Sequence, residues 1–128
     1  MENTRLTITE KPVDTFASDL VVYFAAQRKD MPPVCDPKVE DRVKTAHELG
    51  DFSGKMDEEL LYYPDGDTKE KKSGGRRILV LGMGKEEPDT DPTDFLDILR
   101  RLGGNTAKAC EKTKAKTLVV CIPHMAQP

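Results

Sequence analysis

The sequence predicts a single α/β domain over residues 1–128, in which a mixed, partly parallel β-sheet is flanked by helices. Two observations lead to this prediction. Apolar segments rich in β-branched residues recur along the chain, and segments with helical periodicity lie between them. The length of 128 residues also suits one core, since a chain of this size buries roughly two-thirds of the surface that it exposes when unfolded.

The first part of the chain is predicted to hold two strands and a helix. Residues 6–9 alternate between apolar and polar side chains, as in a half-buried strand, and residues 20–26 are continuously apolar, as in a central strand. Asp36 is a suitable N-cap, Pro37 fits the first helical position, and Gly50 ends the helical pattern. The apolar face of this helix is predicted to consist of Val39, Val43, Ala46 and Leu49.

The middle of the chain is predicted to form two further strands. Residues 59–63 and 77–81 are rich in strand-forming side chains. The charged segment between them, PDGDTKEKKSGG, contains the proline and glycines that turns require. We therefore expect an exposed loop to join these two strands.

A second helix and a last strand are predicted in the final third of the chain. Asp91 can cap the helix and Pro92 fits its first turn. Two adjacent glycines could end the helix at residue 103, but we expect a longer helix that reaches Cys110. Residues 117–122 are predicted to be a buried strand, which Pro123 ends. The apolar face of the helix is predicted to consist of Phe95, Ile98, Leu99 and Leu102.

Composition and charge argue against several classes of protein. The formal net charge of -3 provides no general attraction to nucleic acid or to an anionic membrane. The three cysteines contain no C-x-x-C pair, so neither a disulfide framework nor a zinc knuckle is indicated. No apolar run approaches the roughly 20 residues of a membrane helix, and the amino terminus does not resemble a secretion signal. We therefore expect a soluble, cytoplasmic protein without a membrane partner.

The stretch RRILVLGMGK, residues 76–85, begins like a phosphate-binding loop but does not fit either glycine pattern. A dinucleotide-binding fingerprint that starts at Gly82 needs a third glycine where the chain has Glu87. A Walker A loop that ends at Lys85 needs glycine at Leu79 and a hydroxyl residue at Glu86. We therefore predict a structural turn at the end of a strand, and not a phosphate site.

Other candidate sites are equally incomplete. The segment that starts at His47 resembles the zinc motif H-E-x-x-H, but Asp51 replaces the second histidine and Gly50 breaks the helix. The carboxylates of residues 57–59 and the side chain of His124 have no partner set that would indicate catalysis. We predict no catalytic, cofactor-binding or metal-binding residue. A further hypothesis is a nucleic-acid contact through the basic residues Lys69, Lys71, Lys72, Arg76 and Arg77.

Four segments together resemble the amino-terminal domain of the cytosol (leucyl) aminopeptidase family. In chain order they are DLVVYF, ELGDFSGKMDEELLYYP, RRILVLGMGKEEP and DFLDILRRLGGNTAKACEKTKAKTLVVCIP. Their order and spacing match the family along nearly the whole chain. The resemblance implies a three-layer fold similar to that of macro domains, in which a mixed sheet lies between helices.

The resemblance also implies where the chemistry of such a protein lies. Enzymes of this family carry two divalent metals, zinc or manganese, in a separate carboxy-terminal domain and assemble as hexamers. No segment here resembles their catalytic phrase N-T-D-A-E-G-R, so we expect the chain to lack the catalytic domain and to have a regulatory, assembly or shielding role. The alternatives are an ADP-ribose-binding module, which a macro-like fold would allow, and a nucleic-acid contact module. Only five residues follow Pro123, so we also expect the chain to be part of a longer enzyme.

Overall fold

The computed structural model describes residues 19–64, 77–85, 92–115 and 117–121. Helices lie between pairs of strands within these ranges, and the predicted α/β class is confirmed. In chain order the elements are β1 (Leu20–Arg28), β2 (Met31–Val34), α1 (Glu40–Glu48), β3 (Glu59–Tyr62), β4 (Arg77–Lys85), α2 (Pro92–Thr113) and β5 (Leu118–Val120).

The described strands form one mixed sheet with β1 at its centre. On one side β1 pairs with β4 in parallel, with Val22 opposite Leu79, and β3 pairs with β4 antiparallel. The other side of β1 is shared by two strands. Its first half pairs in parallel with β5, and its second half pairs antiparallel with β2. The predicted mixture of parallel and antiparallel pairing is therefore observed.

Each face of the sheet carries its own apolar core. Side chains alternate along β1, so that Val22 lies in the core beneath α2 and Val21 in the core beneath α1. Leu102 and Cys110 of α2 complete the first core, while Val43 of α1 belongs to the second. This arrangement explains the continuous apolar run in β1, because a strand covered on both faces needs apolar side chains at every position.

The first helix starts later than predicted, and the predicted role of Asp36 as its N-cap is wrong. The carboxylate of Asp36 accepts a hydrogen bond from the N–H of Lys38 (2.8 Å), and its carbonyl accepts one from Val39 (3.0 Å). These bonds form a turn before the helix, whose N-cap is Val39. Leu49, predicted to lie on the apolar face, is 71% exposed because it follows the last helical residue, where the chain turns away.

The second helix confirms the longer of the two predictions, since α2 continues through Gly103 and Gly104 to Thr113. Its apolar face is narrower than predicted, because Leu102 is buried but Leu99 is 45% exposed. No helix in the described part of the chain is long and apolar enough to cross a membrane. The last strand, predicted to be buried over residues 117–122, is shorter and only partly buried. Several other predictions lie outside the described residues. They concern the strand at residues 6–9, the loop at residues 65–76, the cap Asp91, the side chain of Phe95 and the strand end at Pro123.

Candidate functional site at the carboxyl end of the sheet

The carboxyl end of the parallel pair β1 and β4 is the place where open α/β sheets usually bind ligands. Here it is occupied by residues 52–58, which we call the 52–58 segment. The N–H of Gly82 donates to the carbonyl of Glu58 (2.9 Å), and the N–H of Gly84 donates to the carbonyl of Gly54 (2.9 Å). The segment is therefore bonded directly to the backbone of β4.

Glycine is needed on both sides of this contact. A Cβ atom on Gly82 would lie 2.0 Å from the carbonyl oxygen of Lys55, and one on Gly54 would lie 3.1 Å from the backbone nitrogen of Gln27. Gly54 also has a φ of +90°, which residues with side chains rarely adopt. The glycines at 54 and 82 thus allow the two backbones to approach closely.

Gly82 and Gly84 lie within β4, so the prediction that they form a turn after the strand is wrong. The pairing with β1 continues past them, from Ala25 opposite Gly82 to Gln27 opposite Lys85. Its register shifts by one residue over this interval, as in a β-bulge, and Gly84 supplies the positive φ of +80°. The strand therefore bends over the 52–58 segment and then continues to Lys85.

The same hydrogen bonds explain physically why these glycines do not suit a phosphate. Phosphate loops bind their ligand with free backbone N–H groups. The N–H groups of Gly82 and Gly84 already donate to Glu58 and Gly54. The glycine spacing in the sequence and the hydrogen bonds in the structure therefore favour the same structural role.

The carboxylate of Glu58 holds the 52–58 segment in shape. One of its oxygens accepts hydrogen bonds from the N–H of Ser53 (3.0 Å), the hydroxyl of Ser53 (3.0 Å) and the N–H of Lys55 (2.9 Å). Partial burial opposes ionisation of this carboxyl, but the hydrogen bonds outweigh it, and the pKa of Glu58 is lowered. Glu58 is thus held as an anion by local donors.

Asp57 and Glu59 link the other side of this region to α2. Asp57, at a φ of 73°, accepts hydrogen bonds from Arg101 (2.8 Å) and Asn105 (3.0 Å). The bond from Asn105, followed by the charge of Arg101, lowers the pKa of Asp57. Glu59 forms an ion pair with Lys112 (3.1 Å). Each carboxylate of residues 57–59 therefore has separate partners, which does not indicate a catalytic acid–base pair.

These links border an open cleft between α2 and the strands β3 and β4. Its volume is about 470 Å³. It is lined by Asp57, Glu59, Leu81, Arg101, Gly104, Asn105 and Lys108. Asp57 and Arg101 pair with each other across the cleft, and Glu59 pairs with Lys112, so ion pairs connect α2 to the 52–58 segment and to β3 along its border.

A group of titratable tyrosine and cysteine side chains lies on the α1 side of the sheet. The hydroxyl of Tyr23 and the thiol of Cys121 share a hydrogen bond, and burial, followed by the nearby Cys121, raises the pKa of Tyr23. Burial, with smaller contributions from Glu40 and Asp36, raises the pKa of Cys35 to about 11. Thiols with raised pKa values are poor nucleophiles near neutral pH.

The remaining sequence candidates are dispersed. His47 is partly buried on α1, and Arg77 donates a side-chain hydrogen bond to the carbonyl of Thr113. The other residues of the predicted basic loop, and His124, lie outside the described residues. Within the described ranges no group of three or more histidine, cysteine, aspartate or glutamate side chains could hold a metal ion. The two divalent metals implied by the family resemblance therefore have no fitting ligand set in this part of the chain.

Comparisons with known proteins agree with the resemblance seen in the sequence. Residues 20–127 match the sequence model for the N-terminal domain of the cytosol aminopeptidase family. A "probable cytosol aminopeptidase" of Desulforapulum autotrophicum is 42% identical over 107 residues, which are 83% of this chain and 21% of that protein. A protein of the same name from Desulfotalea psychrophila is 34% identical, over 88% of this chain and 22% of that protein.

The fold is also found in a solved structure of a leucine aminopeptidase. A mutant of tomato leucine aminopeptidase superposes with a TM-score of 0.54 at 18% identity. The match covers 97% of this chain and 24% of the tomato chain. The chain thus spans about a fifth of the length of the curated relatives above and about a quarter of this structural neighbour.

Proposed function

The chain belongs to the cytosol aminopeptidase family, and we propose that it acts as the non-catalytic amino-terminal domain of a metal-dependent aminopeptidase. In this proposal the domain supports the assembly or regulation of cytoplasmic enzyme subunits, and peptide hydrolysis takes place in a separate domain. The observation that carries the proposal is coverage, because 83% of the chain aligns with only 21% of an aminopeptidase. Most of such an enzyme therefore lies beyond the region that this chain represents.

The described residues support a non-catalytic role. The carboxyl end of the parallel strands is filled by the 52–58 segment, and the carboxylates at residues 57–59 are each engaged by local donors. The thiols have raised pKa values, with burial as the main cause. These arrangements stabilise the fold, and none of them presents an activated nucleophile or a general base.

A direct assay tests the non-catalytic part of the proposal. The purified chain is incubated with leucine p-nitroanilide in the presence of manganese or zinc, and the release of nitroaniline is followed. We expect no turnover above the rate with heat-denatured chain. Turnover that survives repeated purification, and that is lost on unfolding, would show that this domain is itself a peptidase.

Domain exchange tests the supporting role. The matched region of the Desulforapulum autotrophicum enzyme is deleted, or is replaced by residues 20–127 of this chain to give a chimera. We expect the deletion to lower assembly or peptidase activity, and the chimera to restore it. The proposed role is wrong if the deletion protein assembles and hydrolyses as well as the intact enzyme.

A further inference from the structure

The described residues leave one apolar surface incompletely covered at the edge formed by β5. We propose, resting on the function proposed above, that this surface docks against the polypeptide that follows the domain in full-length aminopeptidases. We call it the β5 surface and define it as Val34, Leu96, Leu99, Leu118 and Val120.

The strand residues of the β5 surface lie on the face of the sheet that α2 covers. Leu118 and Val120 pair with Leu20 and Val22 of β1, and Val34 pairs with Ala26. All three partners belong to the core beneath α2, and directly paired residues project to the same face. Leu118 and Val120 are only partly buried, and Val34 is 50% exposed. Among the residues that the structure describes, none therefore closes the α2 core along this edge.

The helix contributes two further apolar side chains. Leu96 is 55% exposed and Leu99 is 45% exposed, although Leu102 in the next turn is buried. Arg101 contacts the 52–58 segment, and Lys112, on the same flank of α2, contacts β3. Leu99 lies about 200° around the helix from Arg101, so it projects from the opposite flank, which faces β5.

Within the described part of the chain, the backbone of β5 is also open on one side. Among the described strands β5 pairs only with β1, and the N–H of Cys121 donates to the carbonyl of Val22 (2.8 Å). Alternate N–H groups of a strand point to opposite sides, so the N–H of Val120 points to the unpaired edge. Natural proteins usually cover or pair such edges. The open edge and the exposed leucines thus flank one incompletely covered region.

The position of the β5 surface along the chain indicates which polypeptide binds to it. The family match assigns the chain to the amino-terminal domain, and the aligned region is about a fifth of the Desulforapulum autotrophicum enzyme. Residue 121, the last described residue, follows β5 directly, so the following polypeptide of a full-length enzyme begins beside the β5 surface. A tethered segment binds at an effective concentration of roughly millimolar, an advantage that a second copy of this chain lacks.

Hydrogen exchange in the isolated chain and in the chimera described above tests the inference. We expect the amide of Val120 to exchange at least about tenfold more slowly in the chimera, because docking covers the open edge. The double substitution Leu96→Ser and Leu99→Ser should remove this protection. The matched control is Leu49→Ser, which changes a more exposed leucine just after α1 and should leave the protection intact.

A second measurement uses the chain alone. The same double substitution should reduce the fluorescence of a dye that binds apolar surfaces, and Leu49→Ser should reduce it less. The inference is wrong if the double variant and Leu49→Ser give the same result in both measurements. It is also wrong if the amide of Val120 becomes protected in the isolated chain as the protein concentration rises, because a second copy of the chain would then cover the surface. A chimera that is active and assembled but leaves Val120 unprotected contradicts only the docking surface. A chimera that does not assemble contradicts the proposed function as well.

Discussion

Ser53 donates two hydrogen bonds to the same carboxylate oxygen of Glu58, one from its N–H and one from its hydroxyl, each 3.0 Å long. The N–H of Lys55 donates a third to that oxygen (2.9 Å). Between these donors lies Gly54, whose carbonyl accepts the N–H of Gly84. A single carboxylate therefore orders the segment that closes over the end of β4.

Removing this carboxylate should destabilise the domain. In the variant Glu58→Ala the three donors lose their acceptor, and we expect the free energy of unfolding to fall by about 2–4 kcal/mol. The measurement is urea unfolding at neutral pH. The control is Glu48→Ala at the end of α1, where the side chain is exposed and an effect within about 0.5 kcal/mol is expected. Equal losses of unfolding free energy in the two variants would contradict the proposal that Glu58 stabilises the 52–58 segment.

The stability supplied by Glu58 should depend on pH. Its folded pKa is lowered below the ordinary glutamate value of about 4.3, so the unfolded chain binds more protons between the two values. The contribution is therefore complete above the ordinary pKa and is lost as the pH falls through the folded value. We expect the difference in unfolding free energy between the wild type and Glu58→Gln to shrink as the pH is lowered from about 7 to about 3. A difference that stays constant over this range would show that the charge of Glu58 is not responsible.

The crossing of the 52–58 segment over β4 depends on the absence of a side chain at Gly82. A Cβ atom there would lie 2.0 Å from the carbonyl oxygen of Lys55 and 2.7 Å from the carbonyl carbon of Gly54. Both neighbours are backbone atoms, so the strand and the segment would have to separate. We expect Gly82→Ala to lower the free energy of unfolding by about 3 kcal/mol or to prevent folding, as measured by thermal unfolding.

The matched control for Gly82→Ala is Gly103→Ala in α2. Gly103 is exposed, and a Cβ atom there would meet nothing within 4 Å. Alanine is favoured over glycine inside a helix by up to about 1 kcal/mol, so this variant should be stabilised. The same substitution should thus have opposite signs at the two positions. Destabilisation by both substitutions would mean that α2 requires Gly103 for a reason other than avoiding a steric clash.

The strands β1 and β4 could be predicted because their signal lies in consecutive residues of the sequence. β1 and β4 are covered on both faces, and the resulting apolar runs indicate buried strands directly. β2 was not predicted, because Pro32 and Pro33 lack N–H donors and are unusual in strands. The strand forms only at the edge of the sheet, where its pairs are Ala26 with Val34 and Arg28 with Met31.

The spacing of glycines was enough to argue against a phosphate loop, but the actual role of Gly82 was beyond the sequence. Its contact with Lys55 joins positions far apart in the chain, and no periodicity encodes such a contact. The same holds for Asp57, whose partners Arg101 and Asn105 lie on α2. Leu49 and Leu99 match the helical period and yet are exposed, because the period cannot show where a helix ends or how wide its covered face is.

The cysteine chemistry gives the last prediction. Burial, followed by the charges of Glu40 and Asp36, raises the pKa of Cys35 to about 11, so its thiolate is scarce at neutral pH. We expect the alkylation rate of Cys35 by iodoacetamide, followed by mass spectrometry, to rise about tenfold per pH unit between about pH 7 and pH 9 without a plateau. In the urea-unfolded chain the rate should level off near the ordinary cysteine pKa of about 8.5. A plateau below that value in the folded chain would identify an activated thiol and reopen the question of nucleophilic chemistry in this domain.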